Sequence, residues 1–138
     1  MWRERSFICI IHSMLKILNQ TFFEKPTLVV ARKLVGKFLM RKINGKVSVY
    51  KIIEVEAYLG EADQASHASK GRTTRTEVMF GEAARMYVYL IYGMHWMLNI
   101  VTEENSTSTE KIKISATPRI GVDYAGIWAK RKYRFVLK

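Results

Sequence analysis

The alternation of apolar and polar positions divides the chain into short elements. "KPTLVVARKLVGK" carries apolar residues at helical spacing, with Thr27 as the predicted N-cap and Gly36 at the position of a C′ glycine. "KFLMRKI" reads as a strand, Asn44-Gly45 as a two-residue hairpin turn, and Lys46 to about Tyr58 as the returning strand. Period-two alternation puts Val47, Val49, Ile53, Val55 and Ala57 on one face of that strand. Tyr50, Ile52, Glu54, Glu56 and Tyr58 fall on the other.

Beyond Gly60 the pattern dissolves into "EADQASHASKGRTTRTEV", a predicted loop with one helical turn. Alternation resumes in "RMYVYLIYGMHWMLNIVT", where Tyr87, Tyr89 and Ile91 share a face. Gly93 marks a turn, and "HWMLNIVT" is a second strand with Asn99 inside it. Asn is depleted in strands, so its presence asks for a reason. "ENSTSTE" is a polar break, "KIKIS" a short final strand, and "PRIGVDYAGIWAKRKYRFVLK" a tail rich in turns and charge. The opening "MWRERSFICIIHSMLKIL" resembles a signal peptide only faintly. His12 and Lys16 interrupt its apolar run and no small-residue cleavage site follows, so an amphipathic leader helix or an extension outside the domain is expected over residues 1–20.

With 138 residues, 49% of them hydrophobic, the chain is long enough for one domain with a buried core. No apolar run approaches the roughly 20 residues of a membrane span. One cysteine, Cys9, excludes an internal disulfide framework and a cysteine zinc site, and fits a reducing cytoplasm. The net charge of +11 is spread along the chain: eleven Lys/Arg against six Asp/Glu in residues 1–69, twelve against six in 70–138. Such a field attracts phosphates and makes binding salt-dependent, although a solubilising surface has the same composition. Local clusters are "KRKYRFVLK" and "KGRTTR", the latter with Lys70, Arg72 and Arg75.

Against this basic background, Glu54 and Glu56 lie on one strand face, about 7 Å apart at strand rise. Glu56 is either a solvated or ion-paired carboxylate or a general base in an aromatic site. As a pair, the two acids also match the spacing of an inverting glycosidase, a weak signal. Tyr58, Tyr87, Tyr89 and Tyr92 are core packing or a stacking box for bases and cationic rings. His12, His67 and His95 have no metal-ligand spacing, so no metal is expected. His67 stands beside "KGR" in position to meet a base or phosphate. Asn99 either reads a base edge or bonds a neighbouring backbone.

Taken in order, "EVEAYLG", the acid Asp63, "SH", "RT", "MF", "YVYLIYGM" and "LN" between Ile52 and Glu104 strongly resemble the alkyladenine (3-methyladenine) DNA glycosylase family, and "ATPRIGVDYAG" resumes the likeness. The resemblance implies an α+β fold: a single mixed domain over residues 21–138 around a curved antiparallel sheet, similar to the formyltransferase C-terminal-domain fold. It implies a monofunctional DNA glycosylase of base excision repair, without cofactor. Such an enzyme acts as a cytoplasmic, nucleoid-associated or nuclear monomer on damaged double-stranded DNA. By position, Glu56 is the implied water-activating base. Tyr58, His67 and Tyr89 are the implied walls around an extruded purine, Tyr92 the wedge left in the duplex, and Asn99 the gate against guanine's amine. Arg72, with Lys70 and Arg75, is expected at DNA phosphates.

The chain departs from the family pattern after Glu104. "NSTSTEK" stands where a sizeable segment with a "LIRAxEP"-like strand is expected, so the domain is read as internally shortened near residues 105–110. Ile127 and Lys132 also replace an expected acid and proline. The alternative that follows is a catalytically impaired nucleic-acid-binding member of the same fold.

Overall fold

The computed structural model describes residues 7–12, 16–102 and 115–136. Strand β1 (Phe7–Ile11) lies where a leader helix or an extension outside the domain was the expectation, and it pairs antiparallel with β2 (Phe38–Ile43). Ile10 and Ile11 are buried, which explains why this β-branched run pairs with the sheet. A short helix α1 (Gln20–Phe23), capped by Asn19, leads into α2 (Thr27–Leu34). Helix α2 buries Val29, Val30, Ala31 and Leu34, and Val30 meets Ile10, Phe23, Leu34 and Ala83 in the main core. Each such fully buried aliphatic side chain contributes roughly 1.5–3 kcal/mol.

The predicted helix ends hold on one side only. Gly36 is just past the C-cap with φ 86°, and its N–H donates to the Ile52 carbonyl at 2.7 Å. At the other end Pro26 takes the N-cap position. Thr27 is the first helical residue, and its hydroxyl bonds the Thr102 hydroxyl at 2.7 Å instead of capping.

Strand β2 turns at Asn44-Gly45, both with positive φ, into β3 (Lys46–Lys51). This is the predicted hairpin. The predicted single strand to Tyr58 is not continuous. Ile52 exchanges bonds with Gly36 and Lys37 behind α2, and the chain re-enters as β4 (Glu54–Glu56) in a different sheet. The break also removes the predicted common face: Val47, Val49 and Ile53 are exposed, whereas Ala57 is buried and Val55 half-buried.

In the second sheet β4 pairs with β8 (Arg134–Val136), which also pairs with β7 (Ser115–Thr117), all antiparallel. The charged tail therefore supplies a central strand, with Phe135 buried against Ala31 and Ala57. "KIKIS" lies outside the described residues except for Ser115, and so does the break near 105–110. Strands β5 (Met86–Ile91) and β6 (His95–Ile100) form a third, two-stranded sheet. The class is α+β, with the described strands divided among three small antiparallel sheets.

Candidate active site

Glu56 ends β4 with both carboxylate oxygens engaged by uncharged donors. The Tyr58 hydroxyl donates to Oε2 at 2.8 Å, and the Ile120 N–H donates to Oε1 at 3.0 Å. Burial and the adjacent Glu56 carboxylate raise the Tyr58 pKa strongly, so the phenol stays protonated and remains a donor. Glu54, two residues earlier, is held differently. Arg134 grips it through Nε at 2.5 Å and Nη2 at 2.7 Å, and that hydrogen bond lowers the Glu54 pKa. The two acids are thus held differently: Glu54 by a guanidinium at hydrogen-bond distance, and Glu56, among the described residues, by a phenol and a backbone N–H.

Behind Glu56 lies a buried ion pair. Asp63 and Arg119 have fully buried side chains and meet in a two-point contact at 2.5 and 3.0 Å. The Leu59 and Ala65 N–H groups also donate to Asp63, each at 3.0 Å. Burial disfavours the Asp63 carboxylate, but the Arg119 bond and the two backbone donors outweigh it and hold its pKa below the usual range. Arg119 further donates to the carbonyls of Ala57 (2.9 Å) and Trp128 (3.0 Å), and lies 4.7 Å from the Tyr58 ring centroid.

The opposite side is aromatic. His67 opens a 3₁₀ turn (His67–Lys70) and its ring is 4.6 Å from the Tyr89 ring, centroid to centroid. Its Nδ1 is 3.0 Å from the Tyr87 hydroxyl, and Tyr87 and Tyr89 are 5.2 Å apart. Burial, then the Arg75 charge, lowers the His67 pKa, which favours the neutral ring. Tyr89 is pushed up by burial and stays a neutral phenol. Asn99, opposite Tyr87 in the β5–β6 register, donates to the Tyr87 carbonyl at 3.2 Å. Glu56, Tyr58, Tyr89, Asn99 and Ile120 line a common cavity of about 790 Å³.

Tyr92 stands at the tip of the β5–β6 hairpin, 77% exposed. Its φ is 51° and that of Gly93 is 68°, a left-handed pair closed by the Met94 N–H to Ile91 carbonyl bond. Lys70, Arg72 and Arg75 are exposed on the neighbouring loop. Arg72 meets Glu77 at 3.2 Å, and the Arg75 guanidinium lies 5.7 Å from the Tyr89 ring. Among the described residues, no group of three His, Cys, Asp or Glu could hold a metal, and no helix is long and apolar enough to cross a membrane.

Residues 21–109 match the sequence profile described as Methylpurine-DNA glycosylase. The chain belongs to that family. A relative in Myxococcus xanthus, named "Putative 3-methyladenine DNA glycosylase", is 36% identical over 170 aligned positions that cover 85% of this chain and 88% of the relative. Relatives of the same name in Methanocella arvoryzae and Legionella pneumophila (strain Corby) are 52% and 51% identical over 89 and 87 residues. Those matches cover 64% and 63% of this chain but only 44% and 48% of the relatives, so the chain spans less than half of either. The Myxococcus alignment is longer than the chain's 138 residues, so it requires gaps opposite this glycosylase-family chain.

Of the sequence candidates, Glu56, Tyr58, Tyr89 and Asn99 converge on the cavity, and His67 backs it through Tyr87 and Tyr89. Tyr92, Lys70 and Arg72 do not line it. Arg119 and the Ile120 N–H escaped sequence reading, and Asp63, which stands in the motif between "EVEAYLG" and "SH", was given no role. Asp63 sits in a polar loop that reads as solvated, and its partner is 56 residues away.

Proposed function

We propose that the chain is a DNA-3-methyladenine glycosylase of base excision repair, which hydrolyses the N-glycosidic bond of an extruded alkylated or deaminated purine. The carrying observation is Glu56, whose carboxylate is hydrogen-bonded among the described residues by a phenol and a backbone N–H, on a cavity of about 790 Å³ that Tyr58, Tyr87 and Tyr89 share with aliphatic side chains. In this reading the Glu56 carboxylate charge stabilises the oxocarbenium-like sugar as the C1′–N bond breaks and its electron pair leaves with the purine. Glu56 then takes a proton from water as the oxygen bonds to C1′, which leaves the side chain neutral. An alkylated purine is often cationic, so it leaves readily and is favoured by a tyrosine box by roughly 0.5–2 kcal/mol.

Tyr58, His67 and Tyr89 sandwich the extruded base. A neutral His67 suits this role, because an imidazolium would repel a cationic purine. Asn99 gates against guanine's amine, and Tyr92 fills the gap in the duplex at an extrusion cost of a few kcal/mol. Lys70, Arg72 and Arg75 meet phosphates, for which Arg72 exchanges its exposed Glu77 partner. The protein acts as a monofunctional monomer on damaged double-stranded DNA, in the cytoplasm at the nucleoid or in a nucleus. The formyltransferase C-terminal-domain likeness belongs to the same reading.

One observation favours a second reading, a nucleic-acid-binding member with impaired catalysis. The Myxococcus relative has aligned positions that this chain lacks, and a gap near 105–110 would remove a strand beside the pocket. Base release from a duplex carrying one hypoxanthine, and from methylated DNA, decides between them. Release with lesion preference supports the enzyme. Salt-sensitive binding with no release supports the impaired member.

A further inference from the structure

We infer that Arg119, fixed by Asp63, is a positioning residue that sets the direction of the Glu56 carboxylate and the Tyr58 phenol. The inference rests on the glycosylase reading above and deepens it. Strand β4 ends at Glu56, and beyond it the ladder with β8 adds one bond, from the Ala57 N–H to the Tyr133 carbonyl at 2.7 Å. Each residue from 56 to 59 also has a contact that traces to the Asp63, Arg119 and Ile120 group. The Ile120 N–H takes Glu56, and the Arg119 guanidinium takes the Ala57 carbonyl. The same guanidinium lies over the Tyr58 ring at 4.7 Å and pairs with Asp63, whose Oδ2 accepts the Leu59 N–H. Arg119 and Ile120 are adjacent, so the guanidinium that fixes Ala57 and Tyr58 also fixes the backbone N–H that aims Glu56.

The fork of Arg119 makes four bonds in a fixed plane: two to Asp63, one to Ala57 and one to Trp128. A lysine ammonium supplies the charge but cannot span that set with one geometry. Arg119→Lys therefore keeps the buried pair neutral overall while loosening segment 56–59. A misplacement of about 1 Å in a reacting group costs on the order of 100-fold in rate. Arg119 itself touches no reacting atom; it acts through Glu56 and Tyr58.

Two abasic duplexes read the placement of Glu56 without turnover. One carries a neutral tetrahydrofuran at the lesion site, the other a cationic pyrrolidine that mimics the charge developing on the sugar. Wild type is expected to prefer the cationic duplex. In Arg119→Lys, checked for a cooperative melt, that preference should fall roughly tenfold while affinity for the neutral duplex stays within about threefold. Single-turnover excision of hypoxanthine should fall by roughly 10- to 100-fold at saturating enzyme.

A purely structural staple would instead lower the melting temperature and leave the preference of the folded fraction unchanged. Wild type without cationic preference overturns the glycosylase reading and this inference with it. Wild type with the preference, retained in Arg119→Lys, overturns the inference alone. The double variant Asp63→Asn with Arg119→Gln replaces the pair by neutral hydrogen-bonding groups and should also lose the preference. If both variants fail to fold, Arg119 is a staple of the fold and the inference falls.

Discussion

The cavity has two unlike walls. On the Glu56 side, Asp63 and Arg119 are fully buried and bonded, Ala57 donates to Tyr133, and Phe135 fills the core beneath. On the Tyr89 side, the β5–β6 hairpin is a two-stranded ribbon with Val88, Leu90, Trp96, Met97 and Leu98 all exposed by 40% or more. An isolated two-stranded ribbon is marginal in water. In the proposed reading, the group that must be aimed sits on the buried, hydrogen-bonded wall, and the groups that stack and probe sit on the more exposed one. Two hairpin turns repeat the lesson: Asn44-Gly45 and Tyr92-Gly93 both have positive φ, but Asn tolerates the left-handed region and tyrosine does not. Strain of that kind persists where the side chain is wanted in place.

The largest difference between the two walls should follow from neutralising Glu56. Glu56→Gln should reduce excision by roughly 10²–10⁴-fold and leave lesion-DNA affinity within a few fold. Glu54→Gln, whose acid is already held by Arg134, should cost far less. Equal losses in single-turnover assays would return the two acids to a paired-carboxylate scheme.

Stability should divide along the same line. Asp63→Ala leaves Arg119 buried without its counter-charge and should cost about 3–5 kcal/mol in urea denaturation. Trp96→Ser, on the exposed hairpin, should stay within about 0.5 kcal/mol. A large loss at Trp96 would mean that the ribbon is supported after all.

At the hairpin tip, stability and activity should move in opposite directions. Tyr92→Asn relieves the left-handed strain and should raise stability by about 1 kcal/mol. It should also slow excision from a paired duplex more than from a bulged lesion, which needs less unstacking. Equal slowing on both substrates would make Tyr92 a packing residue.

The chain made part of this contrast legible before any coordinates. The Asn44-Gly45 signal, the Gly93 turn and the Gly36 helix end are local chemistry, and all three appear where the residues imply. The strand placing Glu54 and Glu56 in alternation was legible too, but not its end before Tyr58 or its break at Ile52 and Ile53, because a β-branched run reads the same in one sheet or two. Strand β8 was hidden by its own charges. Arg134 interrupts the apolar pattern since it faces Glu54, while Phe135 alone points to the core. The Asp63–Arg119 pair leaves no periodic trace, since it joins two irregular segments through a buried contact.

The smallest expected effect concerns His67, which leans on the ribbon through the Tyr87 hydroxyl. Burial, then Arg75, holds its pKa below the ordinary 6.5. The unfolded chain therefore takes up this proton at higher pH than the folded one. Its bound-proton excess makes stability rise with pH across that interval. The His67 contribution is fully present above pH 6.5, declines as pH falls from there towards the folded pKa, and levels off below it. Urea denaturation of wild type and His67→Gln between pH 5 and 8 isolates this slope, since every other titrating group is common to both (roughly, by additivity). The wild-type curve should fall away from the variant's only on the acid side. Parallel curves would mean that His67 ionises as freely as in the unfolded chain, and that the aromatic wall does not keep it neutral for a cationic base.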